Sequence, residues 1–492
     1  MADNLKNKVV SGISWSLLGQ VTNQLLTFII SIVLARLLGP EAFGLIGLVM
    51  GITTVLNVIQ DFGLGSAIIQ KSGVNKKDFS SIFLFNLGIG IILFIFLFFT
   101  SGLFADFFKD NQLEFLFQLS AVGLIFGSMS SSLGSLIRKD LDFKKLTMIG
   151  VFVNVVSGGL GLYLAYDGFG VLSLVIRNLV SAGLTTIIYW VVSPLKPSLY
   201  FSLNKVKGYL KFGANMLGIN FVARIFEQID VLIIGRFYNP ASVGFYNRAK
   251  SMKVLPLLTI TSVLNKVLFP VYSKIKHDEN RLKKYFSFSI GLLSIVYVPI
   301  MLLLAFYSKE VILLLLTDEW AETIPYLQIL CITGFFMPIS SVSNNILISR
   351  GKSRFSLRYI LIKRTIYTIT LLIAAPFGIF SFVLVSGAYA GVTGITDLFF
   401  ASKEINLKIS IPLKKIFLQV AYTVVALGLV YVLVYFLKDY YLLNLIFGSI
   451  VFGILFIYFN YKSKNEDWIE TMVFLNPYIR NIKKKIKVIF VK

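Results

Sequence analysis

Long apolar runs, each about the length of a membrane crossing, alternate with short polar segments along the whole chain. A helix rising 1.5 Å per residue needs roughly 20 residues to cross the hydrocarbon core. That ruler places spans near 13–34, 43–65, 80–104, 113–137, 148–166, 170–192, 209–235, 243–270, 286–307, 323–348, 358–376, 379–401, 414–437 and 441–461. The pattern predicts an all-α polytopic membrane protein of about fourteen transmembrane helices. No polar segment is long enough for a sizeable soluble domain. The longest outer loop, near 308–322, holds an apolar stretch at 311–316 that is too short to cross and is expected to form an interfacial turn. The first apolar run lacks a small-residue cleavage pattern and is expected to remain as the first span.

The basic residues test this assignment independently. Lys and Arg gather on the cytoplasmic side of membrane proteins. With the N-terminus inside, the inner segments hold 34 bases and the outer ones five: Arg36, Lys109, Arg236, Lys309 and Lys438. The alternation holds at every turn, so the span number is even and both termini are expected in the cytoplasm. Losing one span would invert every later loop.

Two segments 200 residues apart resemble each other. Arg36-Leu-Leu-Gly-Pro40-Glu-Ala-Phe-Gly44 matches Arg236-Phe-Tyr-Asn-Pro240-Ala-Ser-Val-Gly244, and each joins one span to the next on the outer side. Spans 1–6 are therefore read as one copy and spans 7–12 as the other. Six is even, so the copies share one orientation, as in parallel repeats related by a pseudo-twofold axis along the membrane normal. The expected organisation is a six-helix N-lobe at 1–192, a six-helix C-lobe at 193–401, two extra helices at 402–461 and a basic tail at 462–492. Transporters of this plan bind cargo between the lobes and alternate access by rocking them.

Charges inside the spans are the candidate chemistry, because each costs at least ~2.5–3.5 kcal/mol at the bilayer centre. The bases are Arg177, Arg224, Arg248, Lys250, Lys253, Lys266, Lys363 and Arg364; the acids are Asp61, Glu227, Asp230 and Asp397. In span 7, Asn220, Arg224, Glu227 and Gln228 fall within an arc of about 100° on a helical wheel. That face is either a local Arg224–Glu227 pair or the wall of a polar cavity. Asn178 neighbours Arg177. Lys253, Lys266 and Lys363 lie close enough to span ends to snorkel, and Asp61 and Asp397 sit near cytoplasmic span ends. The net positive balance of the spans suits an anionic cargo, for which guanidinium offers bidentate hydrogen bonds to phosphate. Substrate-binding candidates are Arg177, Arg224, Arg364, Lys363, Arg248, Lys250, Asn178 and Gln228. Ion-coupling candidates are Glu227, Asp230 and Asp61.

Composition narrows the class further. Of 492 residues, 56% are hydrophobic and only 14% charged, against about 25% charged in a soluble domain. The formal net charge of +23 could suggest nucleic acid, but the bases lie in short runs between apolar spans, so no nucleic-acid partner is expected. One Cys (Cys331, expected in packing) and one His (His277, expected in solvent) leave no zinc ligand set, and no cofactor is called for. The triplet Asp61-Phe62-Gly63 is unaccompanied by other kinase parts. The polybasic stretch 480–487 is expected on the anionic inner leaflet.

Several motifs together resemble one family. Leu38-Gly39-Pro40-Glu41-Ala42-Phe43-Gly44 and Asp61-Phe62-Gly63-Leu64-Gly65-Ser66-Ala67-Ile68-Ile69-Gln70 look like the opening of Wzx-type bacterial polysaccharide flippases. Gly244-Phe245-Tyr246-Asn247-Arg248-Ala249, Leu268-Phe269-Pro270-Val271-Tyr272-Ser273 and Leu316-Thr317-Asp318-Glu319-Trp320 add to the likeness, which covers roughly 10–400. The resemblance implies the two-lobe fold of the multidrug/oligosaccharidyl-lipid/polysaccharide exporter superfamily, located in the bacterial cytoplasmic membrane. It also implies an undecaprenyl-pyrophosphate-linked oligosaccharide as cargo, moved by ion-coupled alternating access, with polysaccharide polymerase and glycosyltransferases of the same pathway as partners. An exporter of a drug or a peptidoglycan lipid precursor stands as the alternative. A membrane polymerase or glycosyltransferase is disfavoured by the short outer loops, and no enzyme activity is expected.

Overall fold

The computed structural model describes residues 2–71, 73–437, 440–463 and 465–472, with side chains at all of these except 2–14, 17, 61, 211–216, 219 and 257–267. The stretch 480–487 therefore lies outside the described residues, as do the side chains of Asp61 and Lys266. Among the described residues, sixteen α-helices follow one another: α1 Ala2–Asp61, α2 Leu64–Gln70, α3 Lys76–Phe108, α4 Gln112–Lys139, α5 Phe143–Tyr166, α6 Val171–Val192, α7 Leu203–Phe237 and α8 Pro240–Lys274, then α9 Glu279–Phe306, α10 Ser308–Leu315, α11 Thr323–Ile332, α12 Phe336–Ser349, α13 Ser353–Ala374, α14 Ile379–Glu404, α15 Ser410–Leu433 and α16 Tyr441–Lys462.

Among the described residues, eleven helical stretches are long and apolar enough to cross a membrane. One of them, Leu18–Gln60, has 43 residues, about twice what a single crossing needs. It breaks at Gly39 (φ 69°, ψ 179°), with Pro40 opening the second segment. That conformation costs glycine little, and proline suits a first helical turn. The sequence places the turn between its first two spans here. α7 and α8 have 35 residues each and coincide with the expected spans 209–235 and 243–270; counted with them, the helices are consistent with about fourteen crossings. Span 10 differs in detail: it is two helices, α11 and α12, parted at Thr333-Gly334-Phe335. The expected interfacial turn is the short helix α10.

Internal packing divides the chain into two compact units, 1–247 and 248–492, with the boundary inside α8. In the first unit, small residues let helices approach closely, as membrane helices require when burial from water supplies little drive. A Cβ at Gly90 of α3 would collide with Ser128 of α4, and Asn86 Nδ2 donates to Ser132 Oγ at 2.8 Å. α1 lies on α5, where Asn154 Nδ2 donates to Asn23 Oδ1 at 2.7 Å. The turns from the two sequence repeats meet each other: a Cβ at Gly44 would collide with the Pro240 carbonyl, and one at Gly244 with the Pro40 carbonyl. Near the start of α7, Lys205 donates to Asp78 at the foot of α3, and that bond holds the Lys205 ammonium above its ordinary range.

In the second unit, α12 packs on α14 through Gly394, which lies under the Phe336 ring, and α11 on α14 through Gly387, which lies under Ile329. α15 and α16 attach by Lys415 donating to Asp467 and by Gln419 Nε2 donating to Asn460 Oδ1 at 2.9 Å. A Cβ at Gly448 would collide with the Tyr307 hydroxyl. Cys331 is fully buried, in keeping with a packing role, and His277 is exposed. Large hydrophobic side chains exposed on the outer faces, among them Phe99, Leu103, Ile362, Ile373, Val432 and Ile454, give lipid an apolar surface that water would not tolerate.

Candidate functional site

The charges embedded in the helices fall into distinct environments. In the second unit, α13 and α14 form a hairpin turning at Gly378. Lys363 of α13 donates to both carboxylate oxygens of Asp397 of α14, each at 2.8 Å, with side-chain exposures of 19% and 6%. The Lys363 ammonium also lies 5.2 Å from the centre of the Tyr359 ring, and Tyr359 and Thr396 share a 2.9 Å hydroxyl hydrogen bond. Tyr389 donates to the Lys363 backbone carbonyl. Arg364, the next residue, is exposed and makes no ion pair among the described residues. Tyr359, Lys363, Arg364 and Asp397 line a cavity of about 190 Å³ together with Ser340, Ser341 and Asn344 of α12. Arg248 is elsewhere in the unit: its buried guanidinium lies 5.2 Å from the centre of the Trp320 ring. Lys250 is half-buried.

In the first unit, the Arg177 stem rests on α5, where a Cβ at Gly161 would lie 3.0–3.2 Å from its carbons. Its guanidinium makes no hydrogen bond or ion pair among the described residues. Asn178 projects from another side of α6, with Nδ2 3.5 Å from Met50 Sδ of α1. It helps line a second cavity, of about 310 Å³, among α1, α4 and α6. On α7, Arg224 and Glu227 are both exposed and paired at 2.5 Å, the local pair that their spacing suggests, and Gln228 is half-buried. Asp230 is buried and accepts from the Tyr246 hydroxyl at 2.8 Å. The polar arc of α7 thus runs from two exposed charges to a buried, hydrogen-bonded carboxylate.

The sequence missed the Lys363–Asp397 pair. The signal was present: the two residues lie at similar distances on either side of the hairpin turn, which brings them to one depth. Among the described residues no group of His, Cys, Asp and Glu could hold a metal ion. What the arrangement offers is charged and neutral hydrogen-bonding groups facing cavities inside a membrane-spanning fold.

Comparison with known proteins agrees with this picture. Residues 33–325 match the sequence profile of the family described as polysaccharide biosynthesis protein. The chain belongs to that family. Within reach of it are the teichuronic acid biosynthesis protein TuaB of Bacillus subtilis, 25% identical over 71% of this chain and 73% of its own. The lipopolysaccharide biosynthesis protein WzxC of Escherichia coli is 25% identical over 83% of this chain and 81% of its own. The structure of the lipid II flippase MurJ in an inward closed conformation superimposes with a TM-score of 0.73, covering 92% of this chain and all of MurJ at 18% identity, which is a likeness of fold. The family and the fold bear out the resemblance carried by the motifs: this is a multi-pass membrane transporter of polysaccharide biosynthesis.

Proposed function

We propose that the protein flips an undecaprenyl-pyrophosphate-linked oligosaccharide from the inner to the outer leaflet of the bacterial cytoplasmic membrane, with both termini in the cytoplasm. The observation that carries this reading is that Arg177 and Arg364, on two membrane helices, have no carboxylate partner among the described residues. An unpaired guanidinium at that depth is costly unless water or an anion solvates it. A diphosphate head is an anion of the right chemistry, because guanidinium binds phosphate oxygens bidentately. The lipid tail meanwhile has the bilayer beside it, so the protein need shelter only the head. Lys363, Arg248, Lys250, Arg224 and Gln228 are assigned supporting contacts to the head group, Asn178 a contact to the cargo, and Glu227, Asp230 and Asp61 the response to a coupling ion. The lobes move by alternating access, and the enzymes that build and polymerise the repeat unit are the expected partners.

The test is the Arg177→Gln, Arg364→Gln double variant in cells lacking the native copy. Surface polysaccharide should be lost while the amount of protein in the membrane stays unchanged. Normal polysaccharide in that variant would overturn the assignment.

A further inference from the structure

The 310 Å³ cavity in the first unit has a chemistry unlike that of the charged groups. Among the described residues, its lining contains no acid and no base. The polar side chains Thr53 and Asn57 of α1, Ser120 and Ser130 of α4, and Asn178, Ser181 and Thr185 of α6 alternate with aliphatic ones. Asn57, Ser120 and Ser181 make no side-chain hydrogen bond within the described chain. Thr53 and Thr185 donate to carbonyls of their own helices, at 2.9 and 2.7 Å to Val49 and Ser181, which leaves their oxygen lone pairs to accept. One wall is fixed by Gln60, which donates to the Leu124 carbonyl and lies over Gly127, where a Cβ would come within 2.8 Å of it.

Three occupants can be weighed on this chemistry. An anion would shed its hydration with no cation to replace it. An acyl chain would leave several polar groups unsatisfied. An uncharged polyol matches, because each hydroxyl both donates and accepts and its ring carbons suit the aliphatic positions. The volume is at the low end for small-molecule sites, ~300–1,000 Å³. We infer that this cavity is a glycan subsite that receives one uncharged sugar ring of the cargo, apart from the cations that take the phosphate. The inference rests on the reading of the chain as a carrier of lipid-linked oligosaccharide. The sugar hydroxyls replace the hydrogen bonds that these side chains would otherwise make to water.

The test uses the full chain in lipid nanodiscs, titrated calorimetrically with the repeat-unit oligosaccharide of the host's own surface polysaccharide, freed of lipid and phosphate. Wild-type protein should bind it, and Ser181→Leu and Asn57→Leu, which fill the cavity, should weaken binding at least tenfold. Should a leucine variant fail to fold, the Ser120→Ala, Ser181→Ala double variant decides, with a fivefold loss expected. No binding by wild-type protein at millimolar oligosaccharide, or equal binding by the variants, would overturn the subsite. Either result leaves the carrier reading to stand or fall on the arginine variant in cells.

Discussion

Replacing Asp397 by asparagine keeps the shape of its side chain and removes its charge, leaving the Lys363 ammonium without a counter-ion. Removing one partner of a buried pair costs about 3–5 kcal/mol. For Asp397→Asn the expected cost falls below that range, at about 2–3 kcal/mol, because Lys363 is 19% exposed and its long stem lets the head move toward water. Lys363→Met strands the carboxylate instead. Asp397 is only 6% exposed and its single methylene cannot reach solvent, so that variant should lose the full ~3–5 kcal/mol. The double variant Lys363→Met, Asp397→Leu strands neither charge and should fall within about 1 kcal/mol of wild type. Cys331, the one thiol of the chain, is buried in the same unit, so its labelling by a maleimide fluorophore along a denaturant titration reports the unfolding of that unit. The order expected is double variant, then Asp397→Asn, then Lys363→Met. A double variant as unstable as Lys363→Met, or an Asp397→Asn variant within 0.5 kcal/mol of wild type, would refute the idea that the pair is held together by mutual charge compensation.

Other consequences are open to simpler measurements. Arg224 and Glu227 are exposed, and such i,i+3 pairs contribute about 0.2–0.5 kcal/mol. Arg224→Gln should therefore leave the unfolding midpoint nearly unchanged while lowering surface polysaccharide; a large stability loss would mean that the pair is structural. Gly448→Val should destabilise the contact of α16 with Tyr307 by about 1–3 kcal/mol through overpacking, and pairing it with Tyr307→Phe, which removes the hydroxyl, should recover part of that loss in the same assay. In native protein, Cys331 should resist maleimide labelling; rapid modification without denaturant would contradict its burial.

The fold was legible because a membrane imposes two independent codes on one chain. Apolar length marked the crossings, and the distribution of Lys and Arg set the expectation of an even number. The local pair on α7 followed from helical spacing alone. What the sequence did not reveal depends on contacts between distant segments. The run 323–348 reads as one apolar span, yet α11 and α12 part at Gly334, whose backbone sits against Met301 and the Leu330 carbonyl. Asp397 looks interfacial until the hairpin folds it onto Lys363. Nor does any linear pattern show that neutral side chains from α1, α4 and α6 face one cavity, because each alone is an ordinary polar residue on an apolar helix.

The contact between the turns at 36–44 and 236–244 is reciprocal. Gly44 lies on the Pro240 carbonyl and Gly244 on the Pro40 carbonyl, so each glycine performs for the other copy what that copy performs for it. That reciprocity is the signature of an isologous interface, in which a surface meets itself across a twofold axis. Such a joint resists independent drift, since a side chain on either glycine disturbs both turns. Exchanging residues 36–44 with 236–244 should consequently be tolerated far better than adding a methyl group to either glycine.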